Sequence, residues 1–471
     1  MAALAAGILI GVGIAGWRTP PKLSALEEPR RDPLEKNVAS SDTTSSRSNV
    51  RLKQIAAAKF FDYATPQLQS KVPIGHEFAL TEGTVELQFP AGATAIIEAP
   101  AVFQVVNDAN LLLKTGDCSV HAPDGAQGFR VDTPSAKVVD LGTRFVVQVA
   151  QSGGTKVQVV EGEADVYSST GKENLRERQS RWIDADNQKI TADVPFAESD
   201  YKRSLPDRIT DFAATKTADT EHEDTVDELV SVSVQRDGEQ LKFSVDQLIG
   251  IDLIHFCGIS NAFMVTPAVV EDNPFSTEQS GLRSRFIDRD RSLCSGLINP
   301  GGESTPLTSD PILQNSDSPA IIASPGLGIR FQKPVANLPG PDVVFFELQT
   351  IVNSEKGDAF HVSPLHFTEG LHSHTIHSYD IDLTSPQSRF VSPYRLYRAE
   401  TFVDSLGEAL HTVHRGGTVH GIRAKVTAVG IDLSDLGYPE NATVEGLFFQ
   451  DAADDGDYFD PVFIAGLPSS P

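Results

Sequence analysis

Cysteine, methionine and tryptophan are scarce in this sequence: three, two and two among 471 residues. Cys118, Cys257 and Cys294 are too few and too scattered for a disulfide framework or a cysteine-built zinc site, which leaves at most one bridge outside the cytoplasm, with Cys257 and Cys294 the first choice. Positive charge is also short. Thirty-nine Lys and Arg stand against 64 Asp and Glu, a net charge of −25, so wrapping nucleic acid by counterion release is excluded as a function class. The acidic balance favours solubility and cationic partners. Missing too are a Gly-rich phosphate loop, a G-x-S-x-G elbow, an H-E-x-x-H helix and a cysteine set beside a base. A carboxylate pair of the glycosidase kind stays open to any chain with 64 acids. No catalytic, cofactor-binding or metal-ligating residue is assigned, and the chain is read as a non-enzyme.

What is present is strand patterning. From Gly83 to Tyr167, apolar and polar residues alternate at a side-chain period of two, as in Val85, Leu87 and Phe89 against Glu86 and Gln88. Breaks at Pro, Gly, Asn and Asp recur every eight to twelve residues or so, the spacing of an all-β sandwich or a tightly wound sheet. Asp140-Leu141-Gly142-Thr143 lies between two β-branched runs and reads as a tight turn. Thr133-Pro134 reads as a strand end. Both are scaffold, not chemistry.

Asp132-Thr133-Pro134-Ser135-Ala136, Asp140-Leu141-Gly142-Thr143 and Val160-Glu161-Gly162-Glu163-Ala164-Asp165-Val166 resemble the core of the FecR-like proteins, the ferric-citrate-type transmembrane regulators. Leu87-Gln88-Phe89-Pro90-Ala91-Gly92-Ala93 and Glu98-Ala99-Pro100-Ala101-Val102-Phe103 resemble that family's first hairpins. The likeness covers residues 70–195, where Trp182-Ile183-Asp184 and Lys189-Ile190-Thr191 read as closing strands. It departs at Glu177-Arg178-Gln179, where the family often has a glycine. The resemblance implies a cytoplasmic sigma-factor-regulating segment, one membrane helix and an exported FecR domain, with a sigma factor or an outer-membrane receptor as partner. This chain follows that plan from the anchor onward, so either a segment lies upstream of Met1 or the protein is reduced to anchor and exported portion.

Residues 2–17 carry no charge and end at Trp17-Arg18. As a helix they reach about 24 Å against a hydrocarbon core of ~30 Å, a short membrane span with Trp17 and Arg18 at the interface. No basic residue precedes the run, unlike a signal peptide. Arg18, Lys22, Arg30 and Arg31 by themselves argue for a cytoplasmic C-terminal side; the resemblance implies the reverse, and the expected location is the bacterial cytoplasmic membrane, single-pass, with the bulk of the chain periplasmic. Residues 18–50, with four prolines and a Ser/Thr tract, read as a disordered tether. Residues 51–66 read as a short helix, since Leu, Lys, Gln and Ala are strong helix formers. Residues 196–228 read as an acidic linker around Asp219, Glu221, Glu223, Asp224, Asp227 and Glu228.

Residues 229–468 are again strand-like, with long Pro-, Gly-, Ser- and Asp-rich connections such as 300–318, the pattern of a jelly-roll-like β-sandwich. Gly340-Pro341-Asp342-Val343-Val344-Phe345-Phe346-Glu347, Asp432-Leu433-Ser434 and Phe459-Asp460-Pro461-Val462-Phe463 resemble galactose-binding-like or related sandwich modules of exported bacterial proteins; no ligand follows from that likeness alone, and a glycan is carried as an alternative partner. His361, His366, His372, His374 and His377 form one histidine patch and His411, His414 and His420 another; loop histidines are the plainer reading over a metal site. Asp451, Asp454, Asp455, Asp457 and Asp460 surround Gly456, hard oxygen donors suited to a structural calcium, against the reading of a solvated acidic turn. The fold class expected is mainly β: an N-terminal transmembrane helix, a FecR-like β domain, then the sandwich. Two functions compete: relay of an extracytoplasmic signal to sigma-factor-dependent transcription, as an anti-sigma-type regulator, and periplasmic or surface glycan binding on a FecR-like scaffold.

Overall fold

The computed structural model of the chain describes residues 48–216, 225–268, 291–314, 321–412, 418–419 and 421–470. The expected membrane helix at 2–17 and nearly all of the tether lie outside them. Among the described residues no helix is long and apolar enough to cross a membrane. The tether's last residues belong to the folded body: Ser48 and Val50 are buried, and the Ser48 hydroxyl donates to the Val72 carbonyl.

Mainly β architecture is what the alternation builds. A 12-stranded sheet runs from Arg51–Phe60 to Ile190–Asp193 and wraps one continuous core containing Phe78, Phe89, Phe103, Phe129 and Phe145. Glu77–Gln88, Thr94–Asn107 and Asn110–His121 pair in succession as antiparallel neighbours, so Val85, Leu87 and Ile97 all fall on the buried face. The closing strands are Ser180–Ile183 and Ile190–Asp193.

Residues 51–60 are a strand, not the expected helix. Leu52 pairs with Leu87 and Ile55 with Val85, and both side chains are buried in the sheet's core. Intrinsic helix preference is a weak prior, and a row of free hydrogen-bonding groups on Glu77–Gln88 overrides it. Three register shifts, between Leu52 and Gln54, Ala56 and Lys59, and Lys59 and Phe60, hide the period of two.

The expected linker at 196–228 is also corrected. Arg208–Lys216 is a strand, paired antiparallel with Thr225–Arg236, so these parts of that stretch form the edge of the second body. These strands join a seven-stranded sheet that includes Val343–Thr350, Ala424–Ile431 and Pro461–Gly466. A five-stranded sheet, including Gly326–Ala336, Phe360–Pro364 and Thr443–Asp451, packs on one of its faces.

Val343–Thr350 is buried on both faces. Val343 and Phe345 enter a core with Phe360, Phe449 and Phe459, whereas Val344, Phe346 and Leu348 enter another with Phe212, Val265, Tyr394 and Phe463. A strand inside a sandwich covered on both sides reads as a continuous apolar run, as Val343-Val344-Phe345-Phe346 does. The lone α-helix described is Leu406–Thr412.

Candidate ligand-binding cleft

The first body meets the second along a polar seam. Arg208, 4% exposed, reaches from the edge strand of the second body back to the first strand of the other. Its Nε donates to the Ile55 carbonyl at 3.0 Å and one Nη to the same oxygen at 2.6 Å, while the Gln54 side chain accepts at 3.2 Å. Burial lowers the Arg208 pKa to about 10, and the charges of Asp380, Glu86 and Asp207 oppose the fall, so the guanidinium stays charged. Leu205 packs on Ala56 and Ile96 beside it. Near the seam, Lys356 lies 3.8 Å from Glu82.

Next to this seam opens a cleft of about 1030 Å³. One wall is the end of the first strand and the loop after it, with Lys59, Phe60, Tyr63, Thr65 and Gln67. The opposite wall comes from the second body: Phe212 and Lys216 on its edge strand, Thr384, Ser385 and Ser388 on a loop, then Arg389, Phe390 and Lys425. Thr225 and Val226 pair in parallel with Phe390 and Val391 and tie that wall together. Among the described lining residues four cations, Lys59, Lys216, Arg389 and Lys425, stand with one acid, Glu355, and Glu82 lies 4.0 Å from Lys59. That balance inverts the chain's overall charge.

Lys425 and Arg389 are held in place by their own contacts. Lys425 donates to the Leu383 carbonyl at 2.9 Å and sits 5.2 Å from the Phe390 ring centroid, with the Arg423 guanidinium 3.7 Å from the same centroid. Burial lowers the Lys425 pKa; Asp382 opposes this, and the neighbouring charges of Arg389 and Arg423 add to it. Arg389 donates to the Pro386 carbonyl at 2.5 Å. Positive groups crowding one another at a half-buried wall make a site where an anion relieves repulsion.

The residues singled out from sequence are dispersed. Asp140 is buried and accepts from the Gly142 amide at 3.0 Å and from the Thr143 hydroxyl, so the motif is the expected turn. The hydroxyls of Thr133 and Ser135 meet that of Thr155 at 2.8 and 2.7 Å inside the sheet. His361 is buried between Thr375 and the Glu303 carbonyl, and His366 is exposed beside Asp310. His372 points back at Gly370, His374 lies 3.9 Å from Asp435, and His377 is exposed. His414, His420 and the His411 side chain lie outside the described residues. Among the described residues no group of three or more His, Cys, Asp or Glu is arranged to hold a metal ion. Asp451 turns inward and accepts from the Ala453 and Phe459 amides, Asp460 accepts from the Asn299 amide, and Asp454 and Asp455 face outward. All three cysteines are free thiols, Cys118 and Cys294 buried, so no Cys257–Cys294 bridge forms.

Sequence reasoning missed the acids that matter most to the interior. Glu347 is fully buried and accepts from the Asp460 amide at 3.1 Å; Asp358, 4% exposed, lies beside it and Gln349. Burial, then the charge of Glu347, drives the Asp358 pKa far up; burial also raises that of Glu347, with Asp460 adding to it. The sign in sequence is Glu347 itself, an acid directly after the apolar run Val343–Phe346.

Two crystal structures of a candidate anti-sigma factor from Parabacteroides distasonis, at 1.65 and 2.50 Å, are similar to this chain at 18% identity and a TM-score of 0.23. The match takes in 26% of this chain and 61% of the solved one, less than two thirds of its length. No curated protein matches the chain. The FecR protein family matches residues 77–165, the span from Glu77–Gln88 into Glu163–Ser168 that holds the Thr133, Ser135 and Asp140 hydrogen bonds.

Proposed function

We propose that this protein is a FecR-type regulator that works by recognition and not by turnover. Residues 2–17 anchor it in the bacterial cytoplasmic membrane, the two β bodies lie on the periplasmic side, and the state of the exported part is relayed to a sigma factor. The observation that carries this reading is the FecR domain at residues 77–165. The seam through Arg208 supports it, because a ligand held by the second body then bears on the FecR sheet through a buried, charge-assisted contact.

Fractionation of cells expressing the full chain tests the anchor: the protein pellets with membranes, deletion of residues 2–17 frees it, and protease added to spheroplasts digests it. Recovery of the intact chain among cytosolic proteins refutes the topology. Capture of a sigma factor from detergent-solubilised membranes tests the relay.

The cleft favours a second reading, a periplasmic or surface glycan-binding protein in which the FecR domain is scaffold. Saturable glycan binding with no sigma factor captured supports that one.

A further inference from the structure

We propose that the cleft beside the Arg208 seam binds an acidic glycan chain, its carboxylates or sulfates set against Lys59, Lys216, Arg389 and Lys425. The binding stands on the geometry of the cleft; that occupancy is the regulator's input rests on the reading above.

Three features of the wall select this ligand class. The first is charge: among the described residues four cations and a single acid line the concavity, on a chain of net charge −25. Each cation comes from a different stretch, the first strand, the edge strand of the second body, the strand Arg389–Val391 and the strand Ala424–Ile431, so they mark out a track and not a point. A track of separate charges suits a linear polyanion better than one phosphate.

The second feature is the groups between the charges. Thr65, Gln67, Thr225, Thr384, Ser385 and Ser388 put hydroxyls and an amide along the same walls, donors and acceptors of the kind sugar hydroxyls meet. The third is the apolar floor of Phe60, Tyr63, Phe212 and Phe390; Tyr63 is 40% exposed, with an amphipathic ring open to a sugar face. At about 1030 Å³ the cleft exceeds the usual small-molecule pocket of roughly 300–1,000 Å³, room for several linked units. An acidic peptide matches the charge but leaves the hydroxyl-lined wall without a reason.

The test is isothermal titration of the full chain, in detergent, with oligogalacturonate, a sulfated galactan oligomer, a neutral galactan oligomer and poly-glutamate. We expect saturable binding of at least one of the two acidic glycans, weakened severalfold between 50 and 200 mM salt, and no binding of the neutral one. The exposed Lys216 is changed to Gln together with Tyr63→Ala; the Tyr63 ring packs on Phe78 and His76, so folding of the variant is checked by thermal melting, and the pair lowers affinity at least tenfold, whereas Lys333→Gln on the far sheet leaves it unchanged. Equal binding by the double variant, equal binding of the neutral oligomer, tighter binding of poly-glutamate, or no binding at all overturns the proposal. Sigma-factor capture from the same preparation is scored separately, so loss of the relay and loss of the glycan site are told apart.

Discussion

Arg208 and Ile55 are 153 positions apart in the chain, and the guanidinium of one grips the backbone carbonyl of the other with two nitrogens, at 3.0 and 2.6 Å. The contact is buried, so removing the donor strands an oxygen that water does not reach. Arg208→Met is expected to lower unfolding free energy by about 2–4 kcal/mol. Arg208→Lys recovers little of it, because an ammonium lacks the planar fork. Urea denaturation measures both, and a loss under about 0.5 kcal/mol in the Met variant would show the seam to be incidental.

Buried acids give the fold a pH dependence of known sign. Burial raises the pKa of Glu347 and Asp358 above their unfolded values near 4, with the charge of Glu347 adding to the rise at Asp358 and that of Asp460 adding to the rise at Glu347. Below that range both states hold the protons and the full stabilisation is present. As pH rises the unfolded chain releases them while the folded chain keeps them, so stability is lost progressively toward the raised folded values. Thermal melting from pH 5 to 8 is expected to show a falling Tm, and Asp358→Asn to fall less steeply. A variant whose Tm falls as steeply as the parent's removes Asp358 as the cause.

The turn at Asp140 supplies a local test. Thr143→Val deletes the hydroxyl that donates to the buried Asp140 carboxylate and is expected to cost about 1–3 kcal/mol. Leu141→Ala, at a position 45% exposed in the same turn, changes stability by no more than about 0.5 kcal/mol. Gly162 allows no side chain: at φ +82° its Cβ would lie 2.4 Å from the Gly142 carbonyl oxygen, so Gly162→Ala is expected to be worse than either. Chemical denaturation of the three variants ranks them.

Thiol accessibility checks the cysteine chemistry. Cys257 is half-buried, with a pKa raised first by burial and then by Asp404, whereas Cys118 and Cys294 are buried. In native protein, Ellman's reagent is expected to titrate one thiol per chain, slowly, and three after unfolding. Fewer than three in the unfolded, unreduced chain would reveal a disulfide.

Where sequence reading succeeded, the signal was local. Val85, Leu87 and Phe89 alternate because one face of their strand is dry, and Asp140, Gly142 and Thr143 stand together because one turn needs an acceptor, a positive φ and a donor at short spacing. Where it failed, a long-range partner had decided. Residues 51–60 favour helix on their own and become strand because Glu77–Gln88 offers an edge. Arg208–Lys216 looks like the approach to a linker and becomes an edge strand because Thr225–Arg236 pairs with it. The acidic run at 451–460 looks like a ligand set, yet Asp451 and Asp460 spend their oxygens on backbone amides and Asp454 and Asp455 point away.

The amino-acid order alone determined that this chain is built of strands, where most of them turn, and that residues 77–165 match the FecR family, since side-chain alternation and turn chemistry act over a few bonds. Tertiary structure alone decided that Arg208 crosses a seam, that Glu347 and Asp358 share a dry interior, and that Lys59, Lys216, Arg389 and Lys425 line one cleft in an acidic protein. Those charges come from stretches far apart in the chain, and neither the burial of an ionised group nor the gathering of like charges is written in any one of them; both follow from which sheet packs on which.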